Sequence, residues 1–245
     1  MLTLSNIAFT LGGRLLLDRF DLTVSPGEIT VLLGRSGIGK TTVLRLAAEL
    51  LRPTGGTIVN SFRRTSYVFQ EPRLLPWSSA LDNVALALDP LERSRRKRRA
   101  EAELWLTRLG FEPSDFGKYP AQLSGGMQSR VAIARALIVK PELVLMDEPF
   151  AALDFPLRRQ LQALTRDLCR AQNTAALFVT HDLAETAAIA DRVAVMGGSP
   201  AQVLSTFAQA PTPSLPELWV AVAELAQRDE LRGVFDPPAR HAISR

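Results

Sequence analysis

The sequence predicts an α/β protein, with a parallel-sheet core interrupted by a helical subdomain. Three observations carry this. Short apolar runs at Ile29–Leu33, Leu143–Met146 and Ala175–Thr180 suit strands buried on both faces. Each run ends in chemistry: a glycine loop after Leu33, an acidic pair at Asp147-Glu148, a histidine at His181. Between the first two runs, Pro72 to Lys140 is mainly helical in character.

Taken in order, Leu22–Val24 followed by Pro26-Gly27-Glu28 reads as strand and turn, and Ile29–Leu33 as the first buried strand. Thr41 to Arg52 has helical spacing at Val43, Leu44, Ala47, Leu50 and Leu51, and Pro53 with Gly55-Gly56 marks its end. Ser66–Phe69 is a further strand. A basic run and the helix after Gly126, with Val131, Ala132, Ala134 and Leu137 on it, fall in the helical region. The strands Leu143–Met146, Ala175–Thr180 and Arg192–Met196 return to the sheet. After Pro200 come Pro211, Pro213 and Pro216 and an amphipathic stretch over Leu218–Leu231. The expected division is a domain over 1–200, its helical subdomain over about 72–140, and a short extension over 201–245, helical in part.

The segment Gly34-Arg35-Ser36-Gly37-Ile38-Gly39-Lys40-Thr41 fits the pattern G-x-x-x-x-G-K-[ST], with a strand before it and a helix after it. Gly34, Gly37 and Gly39 let backbone N–H groups approach phosphate oxygens, and the helix dipole favours the anion. Lys40 would reach the β- and γ-phosphates, and the Thr41 hydroxyl would ligate Mg²⁺. Asp147 would hold the same ion, through water, and Glu148 would polarise an attacking water. Gln70, following a strand, can offer its amide oxygen to Mg²⁺ and its N–H₂ to water. His181 could contact the γ-phosphate or the water; a structural histidine is the alternative from its position alone. A second glycine turn, Leu123-Ser124-Gly125-Gly126-Met127-Gln128, opens another helix and offers a second anion-binding N-terminus. One nucleotide needs only one cradle of the first kind, so the second turn serves another purpose or another copy of the chain.

In this combination and order, Gly34–Thr41, Gln70, Leu123–Gln128, Leu143–Pro149, Ala152-Leu153-Asp154 and His181 resemble the ATP-binding-cassette (ABC) ATPases over most of the chain up to about residue 200. The resemblance implies the phosphate-loop ABC ATPase fold, a mostly parallel sheet with a small antiparallel β part and a helical subdomain. It also implies a head-to-tail homodimer, each ATP held between one chain's Lys40 loop and the other's Ser124–Gly126 turn. The nucleotide-binding set it implies is Leu11, Gly34, Arg35, Ser36, Gly37, Ile38, Gly39, Lys40, Thr41, Thr42, Ser124, Gly125, Gly126, Gln128 and Asp154. The catalytic set is Glu148, His181, Lys40 and Gln70, and the metal set Thr41, Gln70 and Asp147. Phe69-Gln70-Glu71-Pro72-Arg73-Leu74-Leu75-Pro76-Trp77 is similar to the ATPases of nitrate, sulfonate and taurine importers. It makes Leu74, Leu75 and Trp77 candidate contacts to an integral membrane permease, served in turn by a periplasmic or extracellular solute-binding protein. The chain departs from the family at Leu11, where an adenine-stacking aromatic is usual; Phe9 lies two residues away as a substitute. Met127 and Ile38 also depart, without removing a backbone donor.

The bulk numbers agree with a cassette. At 245 residues the chain can bury a full core, and no apolar run approaches the roughly 18 residues of a membrane span. A soluble chain is therefore expected; the single cysteine, Cys169, excludes an internal disulfide and suits a reducing cytoplasm, and the resemblance implies a peripheral place at the cytoplasmic face of the membrane, through the permease. Arg93–Arg99 holds six of the positive charges; without them the balance of +4 becomes −2. Such a run could meet nucleic acid or an anionic membrane, but a solvated helix face is the plainer reading, and nucleic acid is not expected as a partner.

Overall fold

The computed structural model describes residues 1–151, 153–212, 214–231 and 234. Among these residues nine strands form one sheet: β1 (Leu2–Leu11), β2 (Arg14–Val24), β3 (Ile29–Leu33), β4 (Gly55–Asn60), β5 (Thr65–Val68), β6 (Leu143–Asp147), β7 (Ala175–Thr180), β8 (Arg192–Gly198) and β9 (Ala201–Ala208). Their order is β4-β1-β2-β9-β8-β3-β7-β6-β5. From β8 to β5 every pairing is parallel, whereas β4-β1-β2 and β8-β9 are antiparallel. The α/β class and the small antiparallel part are both present.

Seven α-helices accompany the sheet among the described residues: α1 (Lys40–Ala47), α2 (Ala80–Leu86), α3 (Arg95–Arg108), α4 (Gly125–Leu137), α5 (Phe155–Ala171), α6 (Leu183–Ile189) and α7 (Leu215–Gln227). Side chains alternate across the central strands. Val31, Leu33, Ala176 and Phe178 face one core with α2, α3, α4 and α6, while Leu32, Leu177 and Val179 face another with α1, β1 and β2. In β1 the alternation shifts at Asn6, whose φ is 51°, so that Leu2, Leu4, Ile7 and Phe9 all stay inside.

Two expectations need correction. The helix after the glycine loop ends at Ala47, not Arg52: Glu49 takes a left-handed φ of 57°, and the amides of Leu50 and Leu51 turn back to the Arg45 carbonyl. The segment after Pro200 begins not with an extension but with β9, which pairs with β8 over seven positions and meets β2 at Leu17 and Ala201, so the sheet runs past residue 200. The amphipathic stretch read over Leu218–Leu231 is α7 followed by a single 3₁₀ turn at Asp229–Leu231. Ala152, Pro213 and nearly all of the chain beyond Leu231 lie outside the described residues. The basic run starts α3 and partly neutralises itself. Arg98 pairs with Asp89 at 2.6 Å, Arg99 with Asp82, and Lys97 with Glu92 at 3.7 Å, leaving Arg93, Arg95 and Arg96 exposed.

Candidate functional site

Parallel strands present their C-terminal ends on one edge, and β3, β7 and β6 are neighbours there. After β3 the chain turns through Gly34, Gly37 (φ 78°) and Gly39 (φ 112°) into α1. Gly34 is required by space: a β-carbon would lie 2.8 Å from the Met196 carbonyl of β8. Gly39 caps α1 with no side-chain bond, and the first turn holds no acid, so its leading amides remain open to an anion.

Lys40 is buried, and its ammonium donates to the Gly34 and Arg35 carbonyls at 2.8 and 2.9 Å. Burial lowers its pKa, against the opposing charges of Glu148 and Asp147. Thr41 Oγ1 donates to Asp147 Oδ1 at 3.0 Å, joining the start of α1 to the end of β6. Asp147 is buried, and that burial raises its pKa above the usual carboxylate value while the Thr41 hydrogen bond opposes the rise. Glu148 adopts φ 43° and anchors its amide on the Val179 carbonyl at 3.1 Å. His181 Nδ1 lies 3.0 Å from Glu148 Oε1. The structure thus brings Lys40, Thr41, Asp147, Glu148 and His181 together.

Gln70 is exposed in the loop after β5. Val68 pairs with Met146, so Gln70 and Glu148 leave adjacent strands at the same level. Leu11 is 61% exposed at the end of β1, near a groove of about 620 Å³ lined by Arg14, Leu15, Arg35, Ser36, Gly37 and Leu204. Phe9 cannot replace the missing aromatic: it is 5% exposed, in the core opposite Leu17. Ser124 caps α4 by accepting from the Met127 amide at 3.2 Å, and Gln128 donates to the Pro120 and Leu123 carbonyls. No hydrogen bond among the described residues links this turn to the Lys40 loop. Its nearest functional neighbour is Leu153, 3.2 Å from where a Gly126 β-carbon would sit. Asp154 caps α5 through the Leu157 amide.

Reading the sequence missed a polar chain behind His181. Arg158 donates to the Leu153 carbonyl at 2.9 Å and pairs with Asp182 at 3.6 Å. Asp182 caps α6, and its own amide donates to Thr180 Oγ1, which in turn donates to the buried Glu185 at 2.6 Å. Asp182, next to His181, was the only visible cue. Arg135 of α4 likewise holds the loop after Gln70, through the carbonyls of Pro72 and Arg73.

A glycine loop leading into α1, with an acidic pair and a histidine on neighbouring parallel strand ends, defines a phosphate-loop α/β protein of the nucleoside-triphosphate-binding class. The ABC transporter family model matches residues 17–151. Three curated relatives are aliphatic sulfonates import ATP-binding proteins. One, from Frankia alni, is 47% identical over 185 residues, covering 76% of this chain and 67% of its own length. One from Frankia casuarinae is 46% identical, covering 76% and 60%, and one from Nocardia farcinica 47%, covering 76% and 75%. A dimeric ATP-binding cassette bound to ADP and Pi superimposes with a TM-score of 0.78 at 28% identity, over 86% of this chain and 100% of that one. A second dimeric cassette, from a bacterial ABC transporter, gives 0.77 at 29%. The chain belongs to the ABC transporter family.

Proposed function

We propose that this chain is the ATP-hydrolysing subunit of a bacterial ABC importer, working as a homodimer with integral membrane permease subunits at the cytoplasmic face of the membrane. Similarity to the sulfonate import proteins makes a small organosulfonate the favoured cargo, delivered to the permease by a solute-binding protein. No helix among the described residues is long and apolar enough to cross a membrane, which suits a peripheral subunit carried by its permease.

The observation that carries the reading is the pair of 3.0 Å contacts, Thr41 to Asp147 and His181 to Glu148, set side by side on neighbouring strand ends. A hydroxyl next to a carboxylate is an oxygen donor set suited to Mg²⁺, with Gln70 as the third candidate ligand. When bound, that ion would neutralise charge on the transferred phosphoryl group. Lys40 leaves its loop carbonyls for the β- and γ-phosphates, while the open amides of the loop and α1 receive the remaining oxygens. Glu148 orients the attacking water and accepts its proton. His181, donating from Nδ1 to Glu148, keeps Nε2 for the γ-phosphate side. The Ser124–Gly126 turn of the other copy closes the site, so hydrolysis is coupled to dimer opening and, through Gln70 and its loop, to the permease.

Phosphate release by the purified protein, paired with nucleotide titration, tests the assignment. Glu148→Gln should lower turnover by about 10²–10⁴-fold while ATP still binds; turnover near wild type would remove Glu148 from the role. Lys40→Ala should weaken nucleotide binding itself. Uptake of a labelled alkanesulfonate by cells with and without the chain tests the cargo.

A further inference from the structure

The Tyr67 hydroxyl is a buried donor without a partner. Its oxygen is closed off from solvent, and no hydrogen bond among the described residues reaches it. A donor left in that state costs stability, and native structures seldom keep one without a use. Its place follows from the register of the sheet. Tyr67 of β5 pairs with Leu145 of β6, and both pack on the core that holds α1. Side chains two apart on a strand share a face, so Asp147 lies one step further along β6 on the side that Tyr67 occupies. Thr41 of α1 reaches Asp147 Oδ1 from that same side. An aromatic side chain is long enough to span such a diagonal step between neighbouring strands.

The surroundings leave the hydroxyl one charged acceptor. Burial first, and the Asp147 charge next, hold the Tyr67 phenol above its usual pKa, with Arg45 and Arg73 opposing. Arginine donates and cannot accept, so of these three groups only Asp147 can receive the hydroxyl. The two come near each other without completing a hydrogen bond. Thr41 occupies Oδ1, and Oδ2 of the carboxylate has acceptor positions of its own. The Tyr67 ring is held in place, stacked on Phe69 with centroids 4.2 Å apart, and the Arg73 guanidinium covers Phe69 at 4.3 Å. We propose that Tyr67 is a positioning residue for the metal-binding carboxylate: its hydroxyl donates to Asp147 Oδ2 in the loaded site and, with Thr41 on Oδ1, fixes the orientation of the group. This deepens the reading of Asp147 as a holder of Mg²⁺ and rests on it. Outer partners that orient a ligand in this way change metal affinity by about 10- to 100-fold. Through Phe69, the residue before Gln70, the same ring also braces the strand end that carries the other candidate ligand.

The test compares Tyr67→Phe, which removes the hydroxyl and keeps the stacked ring, with Asp147→Asn. Both are made in the full chain carrying Glu148→Gln, so that ATP survives the titration. ATP affinity is measured by calorimetry in Mg²⁺ and in EDTA, and the ratio of the two reads how well the protein holds the ion. Tyr67→Phe should lower this ratio about tenfold, toward that of Asp147→Asn, and leave the affinity in EDTA unchanged. Its melting temperature without nucleotide or metal should equal or exceed the parent's, because the lost hydroxyl had no partner there. A ratio within twofold of the parent, with that of Asp147→Asn collapsed, would overturn the proposal and leave the role of Asp147 standing. A lower melting temperature in the metal-free chain would show that the hydroxyl already serves the resting fold, which also overturns it. A parent ratio near one, matched by Asp147→Asn, would remove the metal reading on which the proposal stands.

Discussion

Gly34 shows how one missing methyl fixes the site. A β-carbon there would sit 2.8 Å from a main-chain carbonyl of β8, and a strand hydrogen-bonded on both sides does not yield. Gly34→Ala should therefore destabilise by about 1–3 kcal/mol and displace the loop, read as a lower melting temperature together with weakened ATP binding. Phe9 and Leu11 separate in the same way. Phe9→Ala should cost about 3–5 kcal/mol of stability and leave the ratio of ATP to GTP affinity unchanged, because its ring is in the core. Leu11→Tyr places a ring at the exposed position and should tighten ATP by about 0.5–1.5 kcal/mol, measured by titration. Glu185 supplies a pH signature. Burial pushes its carboxyl from 4.5 to about 6, against the hydrogen bond from Thr180. Between those values the folded chain keeps a proton that the unfolded chain releases, so stability from this residue falls as pH rises, by roughly 2 kcal/mol across the window. Glu185→Gln lacks that loss, so its melting temperature should gain on wild type from pH 4.5 to 7; a constant difference would show that Glu185 does not titrate in this way.

Elements differ in how they advertise themselves. β3, β6, β7 and β8 were legible because strands buried on both faces read as apolar runs, and the glycine loop, acidic pair and histidine stood where those runs stop. β4 was not, being an edge strand with Gly55, Gly56 and Asn60 in six residues, nor was β9, which alternates and follows a proline. The end of α1 was misplaced because Glu49, not a glycine, takes the left-handed turn. The residues of the site were legible as chemistry, but not the link between elements, since Arg158 and Asp182 lie on different helices' starts and meet only in the fold. Arg158 ties the Leu153 carbonyl at the start of α5 to the residue after His181. Arg158→Met should thus loosen His181 and lower kcat roughly 10- to 100-fold with KM for ATP little changed. Asp182→Asn, which keeps an oxygen to cap α6, should reproduce part of the loss, and the double variant should be no worse than Arg158→Met alone. Additive losses would show that the two residues act separately.

For the molecule as a whole, the question is how a nucleotide event at one sheet edge reaches a membrane protein. Trp77 is 73% exposed, at the end of the loop that begins with Gln70, whereas Leu74 and Leu75 are half-buried. That loop is not free. Arg135 holds its first part to α4, the helix that opens with Ser124–Gly126, and Asn83 of α2 binds the Leu75 amide and the carbonyls of Leu75 and Ser78. A partner seated on Trp77 would thereby bear on a loop that hydrogen bonds tie to α2 and to α4, and α4 is the helix that opens with the second glycine turn. Of the three residues in this segment proposed as permease contacts, Trp77 has the surface to serve as the anchor and Leu74 and Leu75 mostly support it. Purification of the tagged chain from detergent-solubilised native membranes should recover a polytopic membrane protein in fixed proportion. Trp77→Ala should lower that recovery about tenfold, as loss of an aromatic anchor does, without changing the melting temperature of the isolated chain. Equal recovery with the variant would move the contact elsewhere on the helical subdomain. Recovery only from the soluble fraction, with nucleic acid or ribosomes bound, would overturn the importer reading and make the exposed Arg93, Arg95 and Arg96 the residues to test next.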